Sequence, residues 1–202
     1  HFFYHPAKNR LLEIIPGAQT SPETIAVCKR FSQLTGKTDI LVLDSPGFAV
    51  NRFFVPWLNE STRILEKGWA NIPTIDRAAM DSFGIGMGPF KLMNVTGIPI
   101  AHHACESLAG QLGPLYAPSE RLKAQFESGE LWPLEGDVDT SQIEKVSDRL
   151  MGAVFYVAAS LLNEQVTDMT DIDLGAKVGL RWEMGPFELM NEVGIDRAYE
   201  LV

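Results

Sequence analysis

The sequence has few cysteines, few basic residues and no long apolar run, and each shortage argues against a class of protein. Its two cysteines, Cys28 and Cys105, lack metal-ligand spacing and predict free thiols, as expected in a reducing, cytoplasmic compartment. Lys and Arg number 17 against 26 Asp and Glu, so a net charge of −9 disfavours nucleic-acid binding. The longest apolar run, MGAVFYVAASLL, is too short to cross a bilayer and predicts a buried helix.

The sequence does contain enough apolar residues for a packed core, since 46% of its 202 residues are hydrophobic. This length allows one large domain or two small ones. The opening HFFYHP has no Met, so we expect a fragment of a longer protein.

Residues 1–45 have the pattern of a strand, a helix and a second strand. LLEII and DILVLD are short apolar runs typical of buried strands. Between them, Ser21 is placed to cap a helix that has Pro22 at its first position and stops at Gly36. This order predicts a crossover unit of a parallel or mixed sheet, which is too small to fold alone.

The text after SPGF has helical spacing almost throughout. Two long helices are predicted, in FAVNRFFVPWLNESTRILEKG and in IEKVSDRLMGAVFYVAASLLNEQ. The sequence between them is polar and rich in turn residues, which predicts a linker with a short helix. We therefore expect a mainly α protein in which the α/β segment precedes two helical domains. The predicted ranges are 46–113 for the first domain, 114–142 for the linker and 143–202 for the second domain.

One phrase occurs twice, as MGPFKLMN at 87–94 and as MGPFELMN 97 residues later. An ungapped alignment of 75–98 with 172–195 has 12 identities in 24 positions, which indicates a duplicated helical domain. Gly-Pro makes a turn, and Phe and Leu pack the following helix inward, so we interpret the phrase as structural. Two copies that share packing residues are expected to face each other as in a symmetric dimer.

His1 and Glu13 are candidates for proton transfer. If HFFY and LLEII pair as neighbouring strands, the two side chains can meet. A carboxylate on one imidazole nitrogen fixes the tautomer and raises the basicity of the other nitrogen, which suits removal of a proton from an alcohol. Each residue also has a structural interpretation, as a hydrogen-bonded strand histidine and a solvent-facing glutamate.

Three stretches, HFFYHPAKNRLLEII, SPGFAVNRFFVPWLNE and MGPFKLMNVTG, together resemble the 3-hydroxyacyl-CoA dehydrogenase family in order and spacing. The resemblance covers nearly the whole chain. It implies that residues 1–45 are the end of an NAD-binding Rossmann domain whose N-terminal part is missing. The two helical segments are then two copies of the family's C-terminal domain, as in multifunctional β-oxidation proteins, where the second copy replaces a dimer partner.

The same resemblance implies a reaction and the residues that serve it. The reaction is reversible oxidation of an L-3-hydroxyacyl-CoA to the 3-oxoacyl-CoA in fatty acid β-oxidation, with NAD as cofactor. His1 matches the catalytic base, Glu13 the carboxylate that orients it, and Asn51 an active-site Asn that contacts substrate or the His. A fused enoyl-CoA hydratase domain is compatible with tandem copies, and no metal is implied.

The sequence departs from the family pattern at three places. The family usually reads HFFNP, so Tyr4 replaces an Asn that contacts substrate or nicotinamide, and His5 replaces a Pro. The second copy has Asp148 opposite Asn51 and no PGF before it, so we interpret it as structural. No glycine-rich phosphate-binding turn follows a strand, because GIGMG follows a helical pattern, and we expect the 202 residues to be inactive alone.

Two other interpretations stay open at this point. The chain could be a non-catalytic helical module for dimerisation or assembly, in which His1 and Glu13 are relics. It could also be a dehydrogenase that acts on another 3-hydroxy acid.

Overall fold

The computed structural model describes all 202 residues and is mainly α-helical, with one small parallel sheet near its start. Strands β1 (Leu11–Ile14) and β2 (Thr38–Leu41) are connected by helix α1 (Pro22–Leu34). The later helices are α2 Val50–Glu66, α3 Ile72–Phe83, α4 Pro89–Thr96, α5 Ile98–Leu112, α6 Glu120–Ser128, α7 Ile143–Asn163, α8 Met169–Gly175, α9 Pro186–Val193 and α10 Ile195–Leu201. The predicted fold class is confirmed. None of these helices is both long enough and apolar enough to cross a membrane.

The α/β segment forms from the local signals in its sequence. The Ser21 hydroxyl accepts a hydrogen bond from the Thr24 N–H and caps α1, whose first residue is Pro22. Strands β1 and β2 pair in parallel, as a crossover unit requires. HFFY does not form a regular strand. It meets β1 at one antiparallel bridge, between Phe2 and Leu12, which is closed by backbone hydrogen bonds between His1 and Glu13.

Helix α1 leaves apolar side chains uncovered. Val27 and Leu34 are 68% and 70% exposed, and Phe31 is 47% exposed. The only fully buried residue of α1 is Ser32. A sheet of two strands is too narrow to cover more of the helix, so these apolar side chains stay exposed.

The two helical segments share one hydrophobic core. Helix α2 packs along α7, the corresponding long helix of the second segment, and α3 also packs on α7. Between the segments, the Trp182 ring lies 4.4 Å from Phe83 and 5.7 Å from Trp57, measured between centroids. Such aromatic contacts stabilise beyond the area they bury.

A shared aspartate explains much of the repeated phrase. The Asp76 carboxylate accepts hydrogen bonds from the Phe90 and Lys91 N–H groups at 2.8 and 3.2 Å, at the start of α4. Asp173, 97 residues later, accepts from the first N–H groups of α9 at the same two distances. Each aspartate thus caps a helix from outside it and satisfies two amides that the helix leaves free.

The glycine of each phrase allows this close approach. A Cβ atom at Gly88 would lie 2.4 Å from the Asp76 side chain, and one at Gly185 would lie 2.3 Å from Asp173. Both distances are far below van der Waals contact, so the Asp and the Gly form one structural unit that both copies keep.

Residues 114–142 fold back on the first helical segment. The predicted short helix is present as α6. Beyond it, the Trp132 ring is buried at 4.9 Å from the Phe90 ring, and the Asn94 side chain bonds the main chain of Trp132 at 2.8 and 2.9 Å. The domain boundaries at 45, 113 and 142 stay a prediction.

Candidate active site

The structure brings His1 and Glu13 together. Their backbones form an antiparallel pair, in which Glu13 N–H donates to the His1 carbonyl at 3.1 Å. The side chains then meet, with His1 Nδ1 at 2.6 Å from Glu13 Oε2. From the sequence this meeting was conditional on HFFY and LLEII pairing as neighbouring strands, and the catalytic role of the pair stays a prediction.

Glu13 is buried and fully hydrogen-bonded. The residue is 1% exposed, and its second oxygen, Oε1, accepts from the Ala49 and Val50 N–H groups at 3.1 and 3.0 Å. These amides open α2, whose N-terminus carries partial positive charge and favours a carboxylate. The first helical segment therefore fixes the group that holds His1.

This arrangement fixes the tautomer of His1. With Nδ1 donating to Glu13, the neutral ring keeps its lone pair on Nε2, which has no hydrogen-bond partner. The side chain is 27% exposed, so this nitrogen can be reached from outside. The ring also contacts Phe3 and Phe48, with centroids 4.6 and 5.5 Å away, and these aromatic walls keep its surroundings apolar.

The predicted substrate-binding residues lie in different settings. Asn51 is half-buried in the first turn of α2, one residue after an amide that binds Glu13, and its side chain has no hydrogen bond. Tyr4 is 70% exposed, and its hydroxyl contacts no residue of this chain. The chain therefore positions Asn51 near the His1–Glu13 pair but leaves Tyr4 facing outward.

Arg52 is a site residue that the sequence analysis missed. Its side chain is only 3% exposed, and it donates to Ser45 Oγ at 2.8 Å and to both carboxylate oxygens of Glu164 at 2.6 and 2.5 Å. Burial by itself lowers the pKa of Arg52, but its neighbours Tyr116 and Glu164 raise it above the usual value, so the group stays charged. An Arg directly before the apolar run FFVPWL was the signal available in the sequence.

We call residues 45–48 the PGF turn. It leads from β2 to α2, and both Gly47 and Phe48 have positive φ, at 75° and 47°. A Cβ atom at Gly47 would lie 2.9 Å from Leu108 and 3.2 Å from Arg52. This glycine is therefore packed against protein and offers no open backbone for a phosphate.

The residues present fit only one part of an NAD site. His1 has a ring nitrogen without a hydrogen-bond partner in an apolar setting, which suits the region beside a nicotinamide. Neither β1 nor β2 is followed by a glycine-rich turn. The space beside Gly47, the glycine after β2, is occupied by Leu108 and Arg52, so these residues do not provide a pyrophosphate site.

A second cluster lies on α5. His102, His103 and Glu106 place their ligand atoms within 4.8 Å of one another, and such groups can bind ions of the zinc type. The Glu106 Oε2 atom lies 3.1 Å from His103 Nδ1 and 3.4 Å from His102 Nδ1. The carboxylate hydrogen-bonds His103, whereas the buried Nδ1 of His102 has no hydrogen-bond partner.

Comparison with known families agrees with the site and the fold. The model described as the 3-hydroxyacyl-CoA dehydrogenase NAD binding domain matches residues 1–45, which supports NAD as the cofactor. The model described as the C-terminal domain of the same enzymes matches two segments, residues 47–137 and 146–202.

Solved structures agree with the fold. A 3-hydroxybutyryl-CoA dehydrogenase from Escherichia coli K12 has the same fold, with a TM-score of 0.89 over 100% of this chain and 64% of that chain, at 17% identity. The (S)-3-hydroxybutyryl-CoA dehydrogenase PaaH1 from Ralstonia eutropha is 32% identical, with a TM-score of 0.62 over 65% of this chain and 47% of that chain. FadB2 from M. tuberculosis has the same TM-score and the same coverage at 27% identity.

This chain spans less than two thirds of the length of each of these proteins. The family models nevertheless match nearly all of it, in the order in which the family has its domains. The chain therefore belongs to the 3-hydroxyacyl-CoA dehydrogenase family, a family of oxidoreductases.

Proposed function

We propose that this chain is the C-terminal part of an NAD-dependent L-3-hydroxyacyl-CoA dehydrogenase of fatty acid β-oxidation. The reaction is the reversible oxidation of an L-3-hydroxyacyl-CoA to the 3-oxoacyl-CoA. The observation that carries the proposal is the contact of 2.6 Å between His1 Nδ1 and the buried Glu13 carboxylate, which leaves Nε2 free to accept a proton. The names of the solved relatives from E. coli and R. eutropha support an acyl-CoA substrate.

In the proposed mechanism, His1 is the general base. Its Nε2 takes the proton of the substrate hydroxyl, and the imidazolium that forms is stabilised by Glu13. The two amides at the start of α2 hold the Glu13 carboxylate in place, so the charged pair forms without rearrangement. Bound NAD supplies the acceptor for the hydride that leaves C3 of the substrate.

Asn51 and Tyr4 are the proposed substrate-binding residues. The Asn51 amide has no partner within the chain, so it can bond the substrate oxygen or the His1 ring without breaking another contact. Tyr4 has a free hydroxyl on a mostly exposed side chain, which can contact substrate or the nicotinamide only when another part of the enzyme covers it.

The N-terminal part of the Rossmann domain is the proposed partner that completes the site. It would supply the glycine-rich turn and cover exposed apolar side chains of residues 1–45, among them Phe31 and Leu34. We further propose that the second helical copy acts as a built-in dimer partner of the first, since α2 and α7 pack together. A fused enoyl-CoA hydratase domain and a cytoplasmic location are consistent with this function.

Kinetics of the full-length protein test the function. NADH consumption with acetoacetyl-CoA is measured for the parent, for His1→Gln and for His103→Gln, an exposed histidine on α5 that serves as the control. We expect His1→Gln to lower kcat by about 10²–10⁴-fold with a modest change in acyl-CoA affinity, because general-base catalysis has this magnitude. The control is expected to keep the parent's activity.

Other outcomes select the alternatives. Near-normal turnover by His1→Gln would remove His1 as the base. A parent that binds NAD but is inactive with acyl-CoA and with free acids would favour the assembly module. Activity with free 3-hydroxy acids alone would indicate the other kind of dehydrogenase, and activity of the 202 residues by themselves would contradict the need for an N-terminal half.

A further inference from the structure

An ion pair between the two helical copies reaches the candidate active site. Glu164 ends α7 in the second copy, and both of its oxygens bind the Arg52 guanidinium of the first copy. Arg52 is almost completely buried, while the Glu164 side chain is 44% exposed. A paired, bidentate contact of this kind fixes the orientation of the guanidinium as well as its position.

Arg52 in turn holds the PGF turn. Its other terminal nitrogen donates to Ser45 Oγ at 2.8 Å, at the first residue of the turn. The turn ends at Phe48, whose positive φ of 47° is unfavourable for a residue with a side chain. Such a conformation persists only where the surrounding structure holds it.

Phe48 is the point at which the turn contacts the proposed base. Its ring lies 5.5 Å from the His1 ring between centroids, and the next residue, Ala49, donates its N–H to Glu13. A displacement of the turn therefore moves one wall of the His1 site and one of the amides that fix Glu13. No other ion pair of the second copy reaches this turn.

We propose that Glu164 is a positioning residue, through which the second helical copy holds the PGF turn and so orients His1. The kinetic part of this inference rests on the proposed function. The second copy then does more than pack against the first. Without it, Arg52 would be a buried cation with no anion, and the guanidinium that bonds Ser45 of the PGF turn would no longer be held in place.

The first test is kinetic. In the full-length protein, Glu164→Gln is compared with Glu192→Gln, which removes an exposed charge of the second copy that has no partner. We expect Glu164→Gln to lower kcat about tenfold, since misplacement of a catalytic group is costly, with KM for acetoacetyl-CoA changed less than about twofold. Glu164→Asp keeps the charge and is expected to fall between Gln and wild type.

Folding of the variant does not obscure this result. Glu164 is partly exposed, so water can reach the Arg52 end that it vacates, and circular dichroism checks that the helices remain. A purely structural role would lower the melting temperature and leave kcat unchanged well below it. Wild-type kcat in Glu164→Gln at such a temperature would overturn the proposal.

The second test observes His1 without substrate. In the full-length protein, the imidazole NMR signals of His1 can be assigned by their loss in His1→Gln. We expect Glu164→Gln to move the His1 signals and leave those of His103 in place, with no change in Glu192→Gln. Unmoved His1 signals would contradict the proposal.

The two tests separate this inference from the proposed function. An inactive parent in which Glu164→Gln still moves the His1 signals refutes the dehydrogenase function and leaves the positioning role. If the parent is active and Glu164→Gln changes neither kcat nor the His1 signals, only the positioning role is refuted.

Discussion

The two helical copies share their helix caps and differ at the start of their long helices. Both use an aspartate, a glycine and a proline in the same geometry to begin the helix of the repeated phrase. The first copy begins its long helix with the PGF turn, and its first amides bind Glu13. The second copy begins α7 after a single 3₁₀ turn at Thr140–Gln142, with no side-chain cap.

The residues that both copies share stabilise the fold, whereas those that only the first copy has belong to the candidate site. At the position of Asn51, the second copy has Asp148, which forms an exposed ion pair with Arg197. Asn94 binds Trp132, whereas Asn191, its counterpart, has no hydrogen bond through its side chain. A duplicate that serves as packing partner needs the caps and the core, and these are the features it has kept.

Exchanging the residues at Asn51 and Asp148 should give the largest difference in activity between variants of the two copies. Asn51→Asp places a second carboxylate near Glu13 and removes a donor, so we expect kcat/KM to fall about 10²-fold. Asp148→Asn should leave kinetics unchanged and cost at most about 1 kcal/mol, because it breaks only an exposed ion pair. Steady-state kinetics and urea unfolding measure the two effects. Equal loss of activity in both variants would show that the second copy also acts on substrate.

The phenylalanines of the repeated phrase should differ in their effect on stability. Phe90 is fully buried and packs on Trp132, whereas Phe187 is half-buried. We expect Phe90→Ala to lower the free energy of unfolding by about 3–5 kcal/mol and Phe187→Ala by about 1–2 kcal/mol. Met184→Ala, also half-buried, serves as a further comparison in the second copy. Urea denaturation measures all three, and equal losses at both phenylalanines would contradict the difference in packing.

The aspartate caps should respond to pH in the same way in both copies. Burial raises the pKa of Asp76 and of Asp173, although hydrogen bonds from helix amides oppose the shift. The folded state then holds each proton more tightly than the unfolded state. The stability that this contributes is complete below the ordinary pKa of about 3.9 and is lost as the pH rises through the raised value.

Variants that cannot titrate isolate this small effect. Asp76→Asn and Asp173→Asn keep an oxygen that can cap the helix. We expect the stability of the wild type, relative to either variant, to fall as the pH rises from about 3.5 to 6. Urea midpoints across this range measure the difference. A response in one copy only would show that the two caps are not equivalent.

The sequence was most informative where neighbours along the chain decide the structure. The Ser21 cap, the Pro22 start and the meeting of His1 with Glu13 all follow from residues within one crossover unit. The segment 114–142 was predicted as a linker with a short helix, and the helix is present. Its packing was not visible, because Trp132 has to find Phe90 across a long separation in sequence.

Contacts between the copies could not be predicted for the same reason. Arg52 and Glu164 are 112 residues apart, and neither lies in a sequence motif that predicts which residue it contacts. The amides that bind Glu13 belong to the backbone, which carries no residue-specific signal. The repeat did offer one unused clue, since Asp76 and Asp173 both precede the phrase by the same distance.

The residues that form the candidate site are synthesised at different times, because they lie far apart along the chain. Of these residues, His1 and Glu13 leave the ribosome first, but the amides that fix Glu13 emerge only with α2, and the anion that pairs with Arg52 emerges only at the end of α7. Domains that emerge early can fold before the rest of the chain exists. A fold formed before α7 emerges would leave Arg52 without its anion, so the proposed enzyme becomes fully active only after α7 has been synthesised. Products truncated before Glu164 are therefore expected to be less active than the full-length protein.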